Sequence, residues 1–555
     1  MDNQRVILFF ALSIILLLIW QAWLQDNAPQ QPVAPGTESG QVAIGQAAAP
    51  AADIPQTPTA ESAVVPEATP AVASPQGNVK QGRRIRVTTD LLDVEIDSIG
   101  GDIRQADMLA YPVAVDKPDQ PLRLMQDQGD PVMFAQSGLL SDSPAPDHHA
   151  EFTADRDSYQ LADGDDTLRV PLHWSSPKGI TVTKIYTFHR DSYVIELEQQ
   201  VVNASGSAWQ GYQYQQLQRS RPGKNDKTAF ARTYTGGVIY NEEDKYQKIK
   251  FDQMDDEDLS RDFANGWAAI VQHYFLAAWL PDAQQTDHYY TKAGPDRPYV
   301  LGMISPQITV APGATGDFKS RLFVGPKDQR RLSKAAPGLR LTVDYGILTI
   351  LAQPLYWLMS YIHGVVNNWG WSIIILTLIV KLVFYKLSET SYRSMANMRR
   401  LTPKITSIRE RYGDDRQRMS QAMMELYKKE KINPLGGCLP MVVQIPVFIS
   451  LYWVLLESVE LRQADFILWI HDLSTKDPYY VLPLLMGITM FIQQKLNPPP
   501  PDPVQARVMM ALPFIFTAFF AFFPSGLVLY WVANSVLSIL QQWVITRRIE
   551  KAAAK

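Results

Sequence analysis

Cysteine and histidine are scarce: the 555 residues hold one Cys, Cys438, and 8 His. A single thiol excludes an internal disulfide and any multi-cysteine metal centre, and Gly436, Gly437 and Leu439 around it suit a small buried residue. The chain also lacks a Gly-rich loop ending in Lys-Ser/Thr, a His-Glu-x-x-His pair and a Gly-x-Ser-x-Gly elbow. Nucleotide, metalloprotease and serine-hydrolase chemistry therefore have no support, and no catalytic residue, metal or cofactor is expected. Internal repeats, common in secondary transporters, are not visible either. The net charge of -4 sums an acidic middle and basic loops, so it gives no ground for a nucleic-acid partner, and no DNA is expected.

Charge is missing in particular places. Charged residues make up 19% of the chain but avoid several apolar runs near the N-terminus and in the last third, the pattern of membrane spans. Val6 to Leu24 follows Arg5 and lacks a clear small-x-small cleavage site, so residues 1–26 read as an uncleaved signal anchor with a cytoplasmic N-terminus. Residues 27–79 contain no Lys or Arg, are rich in Pro, Ala, Gln, Ser and Thr, and read as a disordered periplasmic linker.

From 80 to 338 apolar and polar positions alternate in short stretches, as at Ile85 and Val87, Val94 and Ile96, or Ile195, Leu197 and Val201, separated by Gly, Asp, Asn and Pro turns. The expectation is a large periplasmic all-β domain of two packed sheets. Trp174, Trp267, Tyr274, Phe275 and Trp279 in it read either as packing or as a sugar-binding face. Within residues 339–366, Tyr345 to Val366 is apolar, with Gln353, Pro354 and His363. Were this a span, the basic stretch after Arg393 would lie on the side of the β-domain, against the positive-inside bias; an amphipathic interfacial helix fits better.

Five spans are expected within 367–546: Trp369–Leu387, Leu435–Leu456, Tyr479–Gln494, Val508–Phe523 and Gly526–Thr546. With the anchor this makes a six-span α-helical membrane region with both termini cytoplasmic, ending in a basic tail over 547–555. The third and fourth core spans are short, which favours local bilayer thinning. Residues 388–434 carry apolar residues at spacings of three and four on either side of Gly413-Asp414-Asp415, a cytoplasmic αα-hairpin. Its Arg399, Arg400, Lys404, Arg409 and Arg411 read either as topology signals or as a docking surface for head groups, ribosomal RNA or an acidic partner.

Lys381 lies inside the first core span, where a mid-span charge costs about 2.5–3.5 kcal/mol on insertion scales. It reads either as snorkelling to the interface or as the charge of a wet groove. Thr377, one turn earlier, Gln444, Thr517, Asn534, Ser535 and Ser538 are candidates for the polar lining, since polar groups in lipid need partners. Leu451, Trp453, Phe516, Phe519, Phe520 and Tyr530 are candidates for the apolar side along which a client slides.

Several motifs carry a resemblance: Asn433-Pro-Leu-Gly-Gly-Cys-Leu-Pro440 with Gln444-Ile-Pro446, Val459-Glu-Leu-Arg-Gln463, Leu468-Trp-Ile-His-Asp-Leu473, Asp477-Pro-Tyr-Tyr480 and Phe523-Pro-Ser-Gly-Leu-Val-Leu-Tyr530. In these the chain resembles the YidC/Oxa/Alb family of membrane insertases. The resemblance implies a multi-domain membrane protein: a five-helix insertase core around a hydrophilic groove, an N-terminal anchor and a β-supersandwich periplasmic domain. It implies insertion and folding of newly made inner-membrane proteins without an energy source, and partnership with the Sec translocon, ribosomes and signal-recognition machinery. Lys381 falls where that family typically carries a groove arginine, so charge is kept and bidentate pairing is lost. A transporter or channel, or a membrane-anchored periplasmic glycan-binding protein, are the competing readings.

Overall fold

The computed structural model describes residues 82–221, 233–282, 285–294, 297–413, 415–430, 439–496 and 503–553. The expected anchor, the linker, Cys438 and most of the Asn433–Pro440 motif lie outside the described residues, as do the side chains of Arg399, Arg400 and Arg409.

The alternating stretches form strands, and those strands make an eleven-stranded and a nine-stranded sheet. Pairing is mostly antiparallel: Ile195 lies opposite Phe188 on one side and Leu322 on the other, so the buried positions of neighbouring strands fall on one face. Ile85, Val87, Val94, Ile96, Ile195 and Leu197 fill the core between the sheets. Trp267, Trp279 and Phe275 join them there, and Trp174 and Tyr274 pack against its edge. The aromatics singled out from the sequence are therefore packing residues, since two large sheets need bulky side chains between them.

Polar residues also enter this interior, each with a definite arrangement. Lys184 is fully buried and donates to the carbonyls of Gly100 at 2.6 Å and Ser137 at 2.9 Å, close to the buried Arg104–Asp102 pair. Asp287 is 1% exposed, and burial pushes its carboxyl from the ordinary 3.8 up to about 8. The folded state thus holds a proton that the unfolded chain releases, so its contribution is present below pH 4 and is lost as pH rises towards 8. Asp287→Asn is expected to flatten the fall in urea midpoint between pH 5 and pH 8; an unchanged slope would rule out Asp287 as its source.

The C-terminal part is helical: α1 Thr349–Val366, α2 Trp369–Val383, α3 Tyr385–Tyr412, α4 Arg416–Lys429, α5 Leu439–Glu457, α6 Val481–Leu496, α7 Pro503–Phe520 and α8 Ser525–Ala553. Helix α8 packs against α2, α6 and, at fewer places, α3 and α5, while α1 lies against α2 and α5. The expected span Trp369–Leu387 is broken: α2 ends at Val383 and the chain bends by 68° into α3. Among the described residues Ser525–Ile549 is long and apolar enough to cross a membrane by itself, and α2 passes the same test only together with the start of α3. The shorter apolar helices are Val443–Glu457, Val481–Leu496 and Ala506–Phe520. The expected basic tail continues α8, with Arg547 over the ring of Trp543.

The two parts meet at polar contacts. Lys327 of the β-domain pairs with Glu457 at the end of α5 at 2.8 Å, with side chains 3% and 5% exposed. His273 meets the carbonyl of Leu456 at 2.9 Å, and Arg462 and Gln463 donate to the carbonyl of Pro112 at 2.7 and 2.8 Å.

Candidate functional site

Helix α2 begins after Asn368, whose side chain caps the Trp371 amide at 3.0 Å, and runs through β-branched and aliphatic residues that give it an apolar surface. Its buried face carries Ser372, Thr377 and Lys381 at intervals of four or five residues, turned towards the bundle. Lys381 is 8% exposed and donates to Ser538 Oγ of α8 at 2.8 Å. Among the described residues no carboxylate stands within ion-pairing distance of its ammonium. The ammonium is thus held inside the bundle on a neutral hydroxyl.

Ser538 itself donates to the carbonyl of Asn534 at 2.7 Å, so its lone pairs remain for Lys381. Thr377 in the same way returns its hydroxyl to the carbonyl of Ile373 at 2.6 Å. Ser535 is buried one turn from Ser538, and Asn534 is half-buried. Lys381 and Ser538 thus meet between α2 and α8, with Thr377 one turn before Lys381 and Asn534 and Ser535 within about one turn of Ser538. Thr517 belongs elsewhere: its hydroxyl bonds the Pro513 carbonyl at 2.7 Å and sits where a Cβ on Gly487 would come within 2.0 Å. Gln444 is half-buried on α5.

The bend after α2 adds groups not singled out from the sequence. Ser388 and Ser391 on α3 are each 3% exposed, and Tyr392 faces Ser538. Ser388 lies seven residues after Lys381, but the 68° bend between them removes the helical register that would have linked the two in sequence.

The apolar candidates divide. Leu451, Phe520 and Tyr530 are packed inside, the last two through an aromatic chain in which Phe520 meets Trp531 at 5.2 Å and Phe448 meets Trp531 at 4.5 Å and Tyr530 at 5.8 Å. Trp453 and Phe516 are half-buried, and Phe519 is 42% exposed. Of the basic hairpin residues, Lys404 pairs with Glu430, just after α4, at 2.6 Å and Arg411 is exposed.

The loops at the opposite end of the bundle are built from the sequence motifs. Asp477 is 1% exposed and accepts from Tyr479 N at 3.0 Å, Leu482 N at 2.7 Å and Trp469 Nε1 at 2.9 Å, which caps α6. Asp472 accepts from the amides of Gln463 and Ser474 at 3.0 and 2.8 Å, and Ser525 Oγ donates to its carbonyl at 2.8 Å. Gly526 leaves its amide 2.9 Å from the Leu473 carbonyl, where a Cβ would come within 3.0 Å. Asp477→Ala is expected to cost about 1–3 kcal/mol by orphaning the buried amide of Leu482 and two part-buried donors, Tyr479 N and Trp469 Nε1. Faster hydrogen exchange at Tyr479 and Leu482 would report it; unchanged protection would mean that water replaces the carboxylate.

A family model described as "YidC periplasmic domain" matches residues 84–358, and one described as "60Kd inner membrane protein" matches residues 361–552. The chain is 54% identical over 557 residues to the "Membrane protein insertase YidC" of Methylococcus capsulatus, covering 100% of both chains. It belongs to the YidC family. The protein of the same name from Thioalkalivibrio sulfidiphilus is 53% identical over 567 residues, again covering 100% of both. A crystal structure described as an active YidC insertase with the first transmembrane domain resolved covers 83% of this chain and 92% of its own, at 18% identity and a TM-score of 0.39. The YidC assignment rests on the sequence identity, and with it the chain takes its place among inner membrane proteins with a periplasmic domain.

Proposed function

We propose that this chain inserts newly made inner-membrane proteins into the bilayer, receiving a polar client tail at Lys381 while the client's apolar segment passes into lipid. The observation that carries the reading is the buried ammonium with a hydroxyl partner and no carboxylate in reach among the described residues. A charge held so invites a counter-charge from outside the bundle, and an acidic client tail supplies one. Phe519, with half-buried Phe516 and Trp453, offers an apolar path beside it. Transfer of about twenty apolar residues into lipid then drives release without nucleotide hydrolysis, each Leu or Ile contributing a few tenths of a kcal/mol.

The same reading takes residues 1–26 as an anchor, 27–79 as a periplasmic linker, 80–338 as a periplasmic supersandwich, 339–366 as an interfacial helix and 367–546 as a five-span core, with both termini cytoplasmic. Exposed Ile347, Ile350, Trp357, Tyr361 and Val365 on or just before α1 suit a helix lying in the outer interface. With 16 residues α6 reaches about 24 Å, short of a hydrocarbon core of about 30 Å, which supports a thinned bilayer around it. The exposed bases of the 388–434 hairpin suit ribosome and signal-recognition docking, and the Sec translocon is the further partner that this reading includes.

The test is reconstitution into liposomes with a small single-span client and a protease-protection readout. Insertion above that of protein-free liposomes is expected; protection no greater than in protein-free liposomes would defeat the reading. Uptake of solute without client insertion would favour a transporter instead.

A further inference from the structure

The junction between the β-domain and the helices is built around the turn that follows α5. Glu457, Ser458, Val459 and Leu461 of that turn are buried, as are Lys327, Thr342 and Tyr345, which reach it from the end of the β-domain and the segment leading to α1. Two carboxylates stand in the turn three residues apart, with different surroundings. Glu457 has the Lys327 ammonium at 2.8 Å. Glu460 is half-buried and has a hydroxyl instead: Tyr356 of α1 donates to its Oε1, and among the described residues no cation pairs with it. A carboxylate withdrawn from water on one neutral donor is an incompletely compensated charge, and a proton relieves it.

Groups from every neighbouring element face this carboxyl. Asp328 and Arg330 come from the β-domain at the start of the short helix Gln329–Ala335, where Asp328 Oδ1 accepts from the amides of Arg330 and Arg331 at 2.8 and 3.0 Å. Tyr345 stands beside it ahead of α1, its hydroxyl accepting from Gln329 Nε2, and Tyr111 faces it from the strand Ile103–Pro112. Burial pushes the Glu460 carboxyl from the ordinary 4.5 up to about 7; the Tyr356 hydroxyl works against that rise, Asp328 adds to it and Arg330 subtracts from it. A second titratable group lies on the β-domain side. His273 stacks on Tyr274 with ring centres 3.7 Å apart and meets the Leu456 carbonyl at 2.9 Å, with Glu457 and Lys327 beside it. Burial holds its imidazole below the ordinary 6.5.

We propose that Glu460 makes this junction pH-responsive: the β-domain, α1 and the turn after α5 hold together while the carboxyl carries its proton and loosen when it ionises. The closed junction keeps a proton that the open one, with Glu460 in water, releases between pH 4.5 and pH 7. Its contribution is therefore complete below pH 4.5 and is lost as pH rises towards 7. His273 acts in the opposite direction. Below pH 6.5 the open junction takes up a proton that the closed one refuses, so this contribution is lost as pH falls. The Glu460 shift is the larger, and the net dependence follows it. The turn takes no part in the Lys381 site, and the device regulates how firmly the β-domain is held to the helices.

Hydrogen exchange of the full chain in detergent from pH 5 to pH 8, expressed as protection relative to the unstructured peptide rate at each pH, reads opening over residues 345–352 and 456–461. Wild-type protection is expected to fall about tenfold over that range, less than the shift alone allows because Glu460 is half-buried and His273 opposes it. Glu460→Gln should abolish the fall and leave the weaker, opposite dependence of His273. His273→Gln keeps an amide donor for the Leu456 carbonyl and should steepen the fall. Tyr356→Phe removes the bond that favours the carboxylate, so the fall should move to higher pH, which tests the proposal even if Glu460→Gln does not fold. A packing role alone would change protection equally at every pH. That result, wild-type protection equal at pH 5 and pH 8, or a pH profile left unaltered by the Glu460 or Tyr356 substitution would each overturn the proposal.

Discussion

Replacing Lys381 by glutamate is expected to stop insertion of an acid-tailed single-span client, while Lys381→Arg retains it. The ammonium is buried against Ser538, so a glutamate there would turn a carboxylate towards the client's own carboxylate in a medium of low dielectric. Lys381→Ala removes the attraction without adding repulsion. If the full mid-span cost of a charge, about 2.5–3.5 kcal/mol, returns to the barrier, insertion slows by roughly a hundredfold. A client with a neutral tail should lose much less, and that difference separates attraction of charge from general damage to the bundle. The measurement is protease protection in proteoliposomes with both clients. Wild-type rates for the acid-tailed client in Lys381→Glu would end the lysine mechanism but leave family membership untouched, since that rests on identity along the whole chain.

Replacing Lys327 by methionine is expected to destabilise the junction between the β-domain and the helices by about 3–5 kcal/mol, because Glu457 would be left as an unpaired buried charge. Lys327 also stands 3.3 Å from the carbonyl of Thr342, so the substitution removes a second acceptor's partner. The double variant Lys327→Met with Glu457→Leu should recover most of the loss, because a buried pair replaced by apolar residues of similar volume is often neutral. Thermal unfolding of the detergent-solubilised chain, with hydrogen exchange over Leu455–Glu457, reads both variants. Equal stability of the single variant and the wild type would show that the junction takes up water and that the pair does not hold it. His273, Arg462 and Gln463 contact the same junction, so additivity with them should fail.

Much of the fold was legible because its signals are local. Alternation at Ile195, Leu197 and Val201 marks a strand whichever sheet it joins, and the apolar runs of α5 to α8 mark helices whatever they face. The bend at Phe384 was not legible: no proline or glycine lies between Val380 and Ser388, the local signals that usually mark a kink. Nor did the sequence distinguish Phe519, turned outward, from Phe520, buried one residue later, since both are phenylalanines in one apolar run. The motif residues Asp472, Asp477 and Gly526 were visible as a pattern, but their work as caps and close contacts depends on loops distant in sequence.

By itself the sequence determined the class of this protein: a β-domain joined to apolar helices, a basic hairpin, and one lysine placed where charge is costly. These follow from periodicity and composition, which act within a few turns or strands of the chain. Only the tertiary structure decided what Lys381 touches. A hydrogen bond to Ser538 joins residues 157 positions apart, and no local pattern carries that distance. The same holds for Lys327 and Glu457, separated by 130 positions, whose pairing required the β-domain and the helical part to meet. A buried charge announces in sequence that it needs a partner; which partner it finds is a matter of packing.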